Sequence, residues 1–323
     1  MTLKYLVTGA TGGLGRQVLE YFTTHLPSSE YAAASSSEAN RSKFEDKGIA
    51  FRLVNYDDPA SLTAAFADVE NLFFVSSNVW DTERRTKQHK NVVEAAKKVG
   101  VKHTWYTSLA FGGLRSDSKI DVQQAHLETE KLLKESGITY TSIREGIYTQ
   151  AFPLFLQWYP TTETIYIAED GQITYTSREE LGEANAKLLI KGGHENEIVL
   201  LTASGALRAT DIVDIINETT GRNVKIQVLS PEEYVRYHTE NDIGQKPESF
   251  WRKRISWFDG IAKGEAILSN PLMKEVLGRE PKPGRQLIRE ILQDNPNFTW
   301  HQNYVDRKQY WATLSEKEKK EQE

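Results

Sequence analysis

A run of seven residues near the start, Gly9-Ala10-Thr11-Gly12-Gly13-Leu14-Gly15, constrains the fold of this chain more than anything else in it. Before it, Leu3-Lys4-Tyr5-Leu6-Val7-Thr8 reads as a short buried strand. After it, Arg16 to His25 reads as a helix, with Val18, Leu19 and Phe22 at helical spacing. Strand, glycine-rich turn and helix together form the entry to a βαβ unit that holds the diphosphate of a dinucleotide. Gly9 permits the tight turn off the strand. Gly12 lets the backbone approach the diphosphate with no Cβ in the way, and Gly15 lets the helix sit close on the sheet. Thr11, Gly13 and Leu14 complete the loop, whose free amides and positive helix end suit an anion.

The next segments continue the alternation. Tyr31-Ala32-Ala33-Ala34-Ser35-Ser36 is the second strand, and its end should meet the adenosine ribose. A carboxylate there would bind a 2′-hydroxyl. Instead the strand ends in serines, Ser35, Ser36 and Ser37, with Glu38 just beyond and Arg41 after it. Hydroxyls and a guanidinium suit a 2′-phosphate, which favours NADP(H) over NAD(H), while Glu38 keeps NAD(H) as the alternative. Ala50 to Val54 is a third strand, and Asn55 and Tyr56 fall at its end, where adenine should lie. Asp58 caps the following helix, with Pro59 in its first turn. Asn71 to Ser77 is the fourth strand, so Ser76 and Ser77 should approach the phosphates and the nicotinamide ribose. Asp81 to Val99 is a long amphipathic helix and Lys102 to Ser108 the fifth strand. This order predicts an α/β fold, a Rossmann-type doubly wound parallel sheet that binds ligands beyond its carboxyl ends.

Leu109 to Lys119, with Gly112-Gly113, reads as a flexible wall, Asp121 to Ser136 as a helix, and Thr139 to Arg144 as the sixth strand. Residues 1–150 are therefore expected to form the nucleotide domain. Residues 151–323 should form a smaller, mostly helical α+β substrate lobe, with a strand near 197–201 returning to the main sheet. In that lobe Thr164 to Ala168 and Gln172 to Thr176 look like a hairpin around Asp170-Gly171. Phe152, Phe155, Trp158 and Tyr159, with Phe250, Trp251, Trp257 and Phe258, suit an apolar pocket for a flat, conjugated substrate. The charged end, Ser315 to Glu321, is expected to fray.

Composition removes several function classes. The net charge of -5 over 323 residues, with scattered Lys and Arg, gives no footprint for nucleic acid. There is no cysteine, so thiolate metal sites and cysteine nucleophiles are excluded. The seven histidines show no His-x-x-x-His pair, and no metal site is expected. No long apolar run suggests a membrane span, and a first strand at residue 3 leaves no room for a leader, so a cytoplasmic protein is expected. Monomer and homodimer both fit the sequence.

The spacing Gly-x-x-Gly-x-x-Gly points to the short-chain and extended dehydrogenase/reductase lineage. Val7 to Gly15, Asn55-Tyr56-Asp57-Asp58-Pro59 and Tyr106-Thr107-Ser108 resemble the NmrA-like family of atypical short-chain dehydrogenases/reductases. So do His126 to Leu133, Ser136 to Thr141 and Arg144-Glu145-Gly146-Ile147-Tyr148. The likeness covers about residues 3–230 and is nearest the triphenylmethane-reductase and NAD(P)H:quinone-oxidoreductase branch. The tryptophan-rich end, Trp300-His301-Gln302-Asn303-Tyr304, looks like fungal members. The resemblance implies either a reductase of quinones, dyes, enones or natural-product intermediates, or a dinucleotide sensor that binds a protein partner. A redox-neutral isomerase or cyclase is a weaker third reading.

The Tyr-x-x-x-Lys pair of short-chain dehydrogenases occurs only at Tyr304 and Lys308, far past the sheet. On the helix that should carry it stands His126, which the resemblance places where the quinone-reductase branch also has histidine. An imidazole there can donate a proton or contact the nicotinamide ribose, and Glu130 at i+4 or Gln123 at i−3 can orient it. Ser108 can polarise a substrate carbonyl or satisfy a loop, and Tyr148 can donate to substrate or serve as a lid aromatic. The expected catalytic set is thus His126, Ser108 and Tyr148.

Overall fold

The computed structural model describes residues 2–314 together with Glu316 and Lys319; the rest of the expected fraying end lies outside the described residues. The first half alternates β1 (Leu3–Val7), α1 (Gly13–His25), β2 (Tyr31–Ser35), α2 (Arg41–Glu45), β3 (Ala50–Leu53), α3 (Pro59–Phe66), β4 (Val69–Phe74), α4 (Thr82–Val99), β5 (His103–Leu109), α5 (Asp121–Ser136) and β6 (Tyr140–Glu145). Local chemistry sets these boundaries. Asp58 accepts from the Ala60 amide at 2.9 Å to start α3, with Pro59 in the first turn. Gly100 and Gly137, at φ 74° and 76°, end α4 and α5 in the left-handed conformation.

The second half contributes β7 (Ile147–Tyr148), α6 (Phe152–Leu156), β8 (Thr164–Ile167), β9 (Ile173–Thr176), α7 (Arg178–Lys191), β10 (Glu197–Leu201), β11 (Ala206–Leu207), α8 (Ala209–Thr220) and β12 (Lys225–Val228). Helices α9 (Pro231–Asn241), α10 (Glu248–Ala262), α11 (Leu272–Leu277), α12 (Gly284–Asp294) and α13 (Arg307–Thr313) follow. The main sheet is parallel and seven-stranded, in the order β10-β6-β5-β4-β1-β2-β3. The order reverses between β1 and β4, so the cleft opens beyond the ends of those two strands.

Apolar side chains fill both faces of this sheet. One face packs Tyr5, Val7, Phe73 and Trp105 against α1 and α7, and the other packs Leu6, Leu72, Phe74 and Tyr106 against α3 and α4. The chain returns to this sheet well after residue 150, since Leu181, Leu188, Leu201 and Met273 join the first of these cores. A separate core of Phe152, Trp158, Ile215, Tyr234, Trp251 and Ile288 builds the second lobe.

The expected hairpin does not form. β8 pairs in parallel with β12, while β9 lies between β11 and β7. The turn is spent on a different contact: the Asp170 carboxylate accepts from the Thr210 amide and hydroxyl at 3.2 and 2.9 Å, at the start of α8. A Cβ on Gly171 would come within 2.5 Å of Ile261, so this corner docks against α10 instead of folding β8 back on β9.

The loop 109–119 is also held more firmly than expected. Arg144 donates to Glu130 through Nε at 2.9 Å and Nη2 at 2.6 Å, and to the Gly113 carbonyl at 2.8 Å. It also reaches the Arg115 carbonyl at 2.5 Å and the Ser116 hydroxyl at 3.0 Å. The two charged side chains are 0% and 5% exposed. Removing one partner strands a buried charge, whereas replacing both by apolar groups does not. Arg144→Ala is therefore expected to cost ~3–5 kcal/mol of stability, and the double variant Arg144→Met/Glu130→Leu distinctly less. Urea midpoints of the two variants measure the difference.

Candidate functional site

The glycine loop builds an anion cradle at the carboxyl end of β1. Gly9 takes φ +60°, which turns the chain sharply off the strand. A Cβ on Gly15 would sit 2.5 Å from the Gly9 carbonyl oxygen and 2.9 Å from that of Thr8, so only glycine lets α1 rest here. Gly12 precedes α1 without a side-chain cap, and the first turn carries no acidic residue. The amides of Gly13, Leu14 and Gly15 are the helix's unpaired donors, and they suit a diphosphate.

A second helix ends at the same place. A Cβ on Gly13 would lie 2.3 Å from the Arg178 guanidinium, and one on Gly182 would lie 2.2 Å from Gln17 Cβ. The matched four-residue steps show that α1 and α7 run side by side in the same direction. Ser177 caps α7 by accepting from the Glu180 amide at 3.2 Å. Arg178, the next residue, makes no ion pair among the described residues, and its Nε is buried without a partner. The nucleotide cradle thus has a cation that the motif alone does not disclose.

At the adenosine end the structure divides the expected residues. Ser36 and Ser37 are exposed beyond β2, whereas Ser35 is buried and its hydroxyl accepts from Asn40 at 2.9 Å. Arg41 pairs with Glu38 and with Glu45 and lies 4.8 Å over the Phe51 ring. Asn55 is exposed, and its side chain accepts from the Asp57 amide at 3.0 Å. Tyr56 is anchored through its hydroxyl. Its hydroxyl is 2.7 Å from Thr8 Oγ1 and donates to the Val75 carbonyl at 2.8 Å, so it staples the ends of β1 and β4.

Beyond β4, two buried histidines, His89 and His126, anchor a polar cluster. The Ser77 amide donates to His89 Nε2 at 3.0 Å, so the His89 proton resides on Nδ1, 2.7 Å from Thr129 Oγ1. Ser77 Oγ donates to Gln88, leaving Ser77 within the protein framework. Ser76 Oγ instead accepts from Arg85 Nη2 at 2.8 Å. His126 is 3% exposed, with Nδ1 2.9 Å from the Tyr106 hydroxyl. A Tyr106 that donates to Nδ1 leaves the proton of a neutral His126 on Nε2. Burial, then the charge of Arg85, holds the His126 imidazole well below its ordinary range, and it is neutral at pH 7.

Neither expected partner orients His126. Glu130 is committed to Arg144, and Gln123 Nε2 donates to the Leu109 carbonyl at 2.8 Å. The buried Ser108 hydroxyl donates to Glu130 at 2.8 Å. Tyr148 is half-buried between the sheet core and the lobe core. Burial first, and Glu145 next, push its hydroxyl pKa upward, so it stays protonated. The Arg85 charge acts on both His126 and Tyr148.

A cavity of about 350 Å³ opens between the lobes, lined by Trp80, Arg85, Val122, Phe250, Arg254 and Trp257 among others. Only Phe250 and Trp257 of the eight aromatics expected there line it. Phe152, Phe155, Trp158, Trp251 and Phe258 are lobe core instead. Tyr159 hydrogen-bonds Asp242 at 2.8 Å beside the buried Lys246–Asp242 pair. Sequence reasoning passed over Trp80, Arg85 and Arg178. A signal for Arg85 existed: it begins the stripe continued by Gln88, His89, Val92 and Ala96, the buried face of α4.

Among the described residues no helix is long and apolar enough to cross a membrane, and no three His, Asp or Glu side chains cluster to hold a metal. The switch-point cleft, its uncapped amides and the polar cluster beside a cavity define a Rossmann-type oxidoreductase that uses a nicotinamide nucleotide. Residues 1–253 match the NmrA-like family, and the chain belongs to it. The chain is 52% identical over 307 residues to the NmrA-like family domain-containing oxidoreductase flvB of Aspergillus flavus, covering 94% of this chain and all of that protein. It is 34% identical to quinone oxidoreductase 2 of Escherichia coli over 71% of this chain and 78% of that one. The Citrobacter sp. triphenylmethane reductase complexed with NADP(H) superposes with a TM-score of 0.77 at 31% identity, over 89% of this chain and 99% of that one.

Glu145, 2% exposed at the end of β6, accepts from Asn185 at 2.9 Å through one oxygen, and its other oxygen is buried without a partner. Burial pushes its carboxyl from 4.5 up to about 8, against the opposing effect of Asn185. The folded state therefore holds this proton more tightly than the unfolded chain does. The associated stability is present below pH 4.5 and is lost as pH rises toward about 8. Glu145→Gln removes this titration. Its stability relative to the parent is expected to improve across that window, by at most about 1.4 kcal/mol per pH unit. Paired urea melts across that range would expose a flat difference if the carboxyl were already ionised.

Proposed function

We propose that the protein is an NADPH-dependent reductase that passes hydride to a hydrophobic, conjugated small molecule such as a quinone, an enone or a natural-product intermediate. The observation that carries this reading is Arg85, which lines an aromatic-walled cavity and donates to Ser76 just past β4, the strand beside the one that carries the glycine cradle. The bound nucleotide would supply the hydride. Gly13, Leu14 and Gly15 would hold its diphosphate through their amides, and Arg178 would add charge beside them. Trp80, Phe250 and Trp257 would sandwich a flat acceptor and exclude water.

The names of the relatives support this reading: one is a quinone oxidoreductase, and a solved neighbour carries NADP(H). For NADPH over NADH, the support is the exposed Ser36 and Ser37 hydroxyls beside Arg41. Arg41 offsets Glu38, which would otherwise repel a 2′-phosphate. Arg41→Ala is expected to weaken NADPH binding ~10-fold while leaving NADH nearly unchanged. Fluorescence titration with each nucleotide measures that ratio.

Tyr148 is the side chain best suited to donate a proton, since its hydroxyl stays protonated. An enone needs such a donor, whereas a quinone yields a resonance-stabilised anion and depends on it less. Tyr148→Phe should therefore lower kcat ~10²-fold with an enone and less than ~10-fold with a quinone. The readout is the loss of reduced-nicotinamide absorbance. Tight NADPH binding with no turnover of any quinone, enone or dye would instead favour the dinucleotide-sensor reading.

A further inference from the structure

Resting on the reductase reading, we propose that Arg85 grips the acceptor oxygen on which negative charge gathers as hydride arrives, so that the cavity selects neutral or anionic conjugated carbonyls and turns away acceptors that begin as cations. Arg85 stands where the sheet edge meets the cavity. Its Nη2 donates to Ser76 Oγ at 2.8 Å, its Nε is buried with no partner, and the side chain forms part of the cavity wall. The adjacent arginine shows what an ordinary surface cation does here: Arg84 is exposed and paired with Asp57 at 2.8 Å. Arg85 has no carboxylate partner among the described residues.

The acidic groups nearby are engaged elsewhere. Asp81 caps α4 by accepting from the Arg84 amide at 2.7 Å, Asp121 faces Lys253 at 4.0 Å, and Asp242 is bound to Lys246. The groups that feel the Arg85 charge are His89, His126, Tyr106 and Tyr148, all uncharged at neutral pH. A second guanidinium, Arg254, is buried in the same wall with its carbon 4.0 Å above the Trp257 ring, and its Nε and Nη1 have no partner. Since Lys246 is paired with Asp242 and Lys253 faces Asp121, the wall's cations without a carboxylate partner among the described residues are Arg85 and Arg254.

The electron count follows directly. Hydride adds to the conjugated acceptor, the displaced carbonyl π pair settles on oxygen, and NADPH becomes NADP+. The Arg85 guanidinium donates hydrogen bonds to that oxyanion and keeps its own protons. Water supplies the proton that completes a hydroquinone, and Tyr148 or water supplies the one that completes an enolate. A fixed cation in a partly dry site costs no reorganisation as the charge forms. The same cation repels a triarylmethane dye, whose positive charge is present before hydride arrives.

The test uses the full chain with NADPH and three acceptors: 1,4-naphthoquinone, a naphthoquinone sulfonate and the cationic dye malachite green. The parent protein is expected to prefer the first two over the dye by at least ~10-fold in kcat/KM. Arg85→Gln should lower kcat for the quinones ~10²-fold, keep NADPH affinity within about threefold and lose the discrimination against the dye. Arg85→Lys should recover part of the rate, and guanidinium added to Arg85→Ala should recover more than an equal concentration of sodium chloride. Quinone turnover and charge preference unchanged in a folded Arg85→Gln would overturn the proposal while leaving the reductase reading intact. NADPH binding with no turnover of any acceptor by the parent protein would overturn both.

Discussion

The buried pair of Glu130 and Arg144 is the interaction on which the rest of the site depends. Glu130 projects from α5 one turn after His126, and Arg144 from the end of β6. Between them they collect the hydroxyls of Ser108 and Ser142, two carbonyls of the loop 109–119 and the hydroxyl of Ser116. A charge pair this deep gains little net stability, since desolvation consumes much of the attraction. Its effect is geometric. Helix, two strands and loop are fastened at one point, and His126 inherits its position from that fastening.

A second constraint acts at the opposite side of the cleft. Helices α1 and α7 start side by side because glycine at 13 and 182 removes the side chains that would part them. Two helix N-termini therefore add their partial positive charges at the same opening, with the Arg178 guanidinium beside them. Since α7 leads into β10 of the main sheet, the returning strand also delivers this cation to the nucleotide cradle. The connection is topological before it is chemical.

What the sequence disclosed depended on how local the cause was. The first βαβ unit was legible because three glycines, a strand and an amphipathic helix sit within twenty-five residues. Element ends at Asp58, Gly100 and Gly137 were legible for the same reason. The hairpin expectation failed because β8 finds its partner at β12, about sixty residues further on, while Asp170 turns to α8. The partner of Ser108 was hidden for the same reason: nothing near it in sequence tells that its hydroxyl meets Glu130. The aromatic lobe was recognised, but burial alone decides which rings line a cavity, and a core needs most of them. Arg85 was hidden in a charged helix, although its place in the buried stripe of α4 marked it as inward.

These positions give the site an electrostatic character unlike that of a tyrosine–lysine dehydrogenase. There a lysine one turn away lowers the tyrosine pKa, which lets the phenolate accept a proton during alcohol oxidation. Here burial raises the Tyr148 pKa, and Glu145 adds to that effect, outweighing the opposing charges of Arg178 and Arg85. His126 is held neutral by burial and by the same Arg85 charge. A phenol that stays protonated offers no phenolate to accept a proton, and an imidazole held well below its ordinary range is a weak base. A fixed guanidinium beside them is a good stabiliser of a new oxyanion. On the proposed reading, both features suit reduction of an acceptor whose anion is already spread by conjugation, and neither helps to oxidise a simple alcohol.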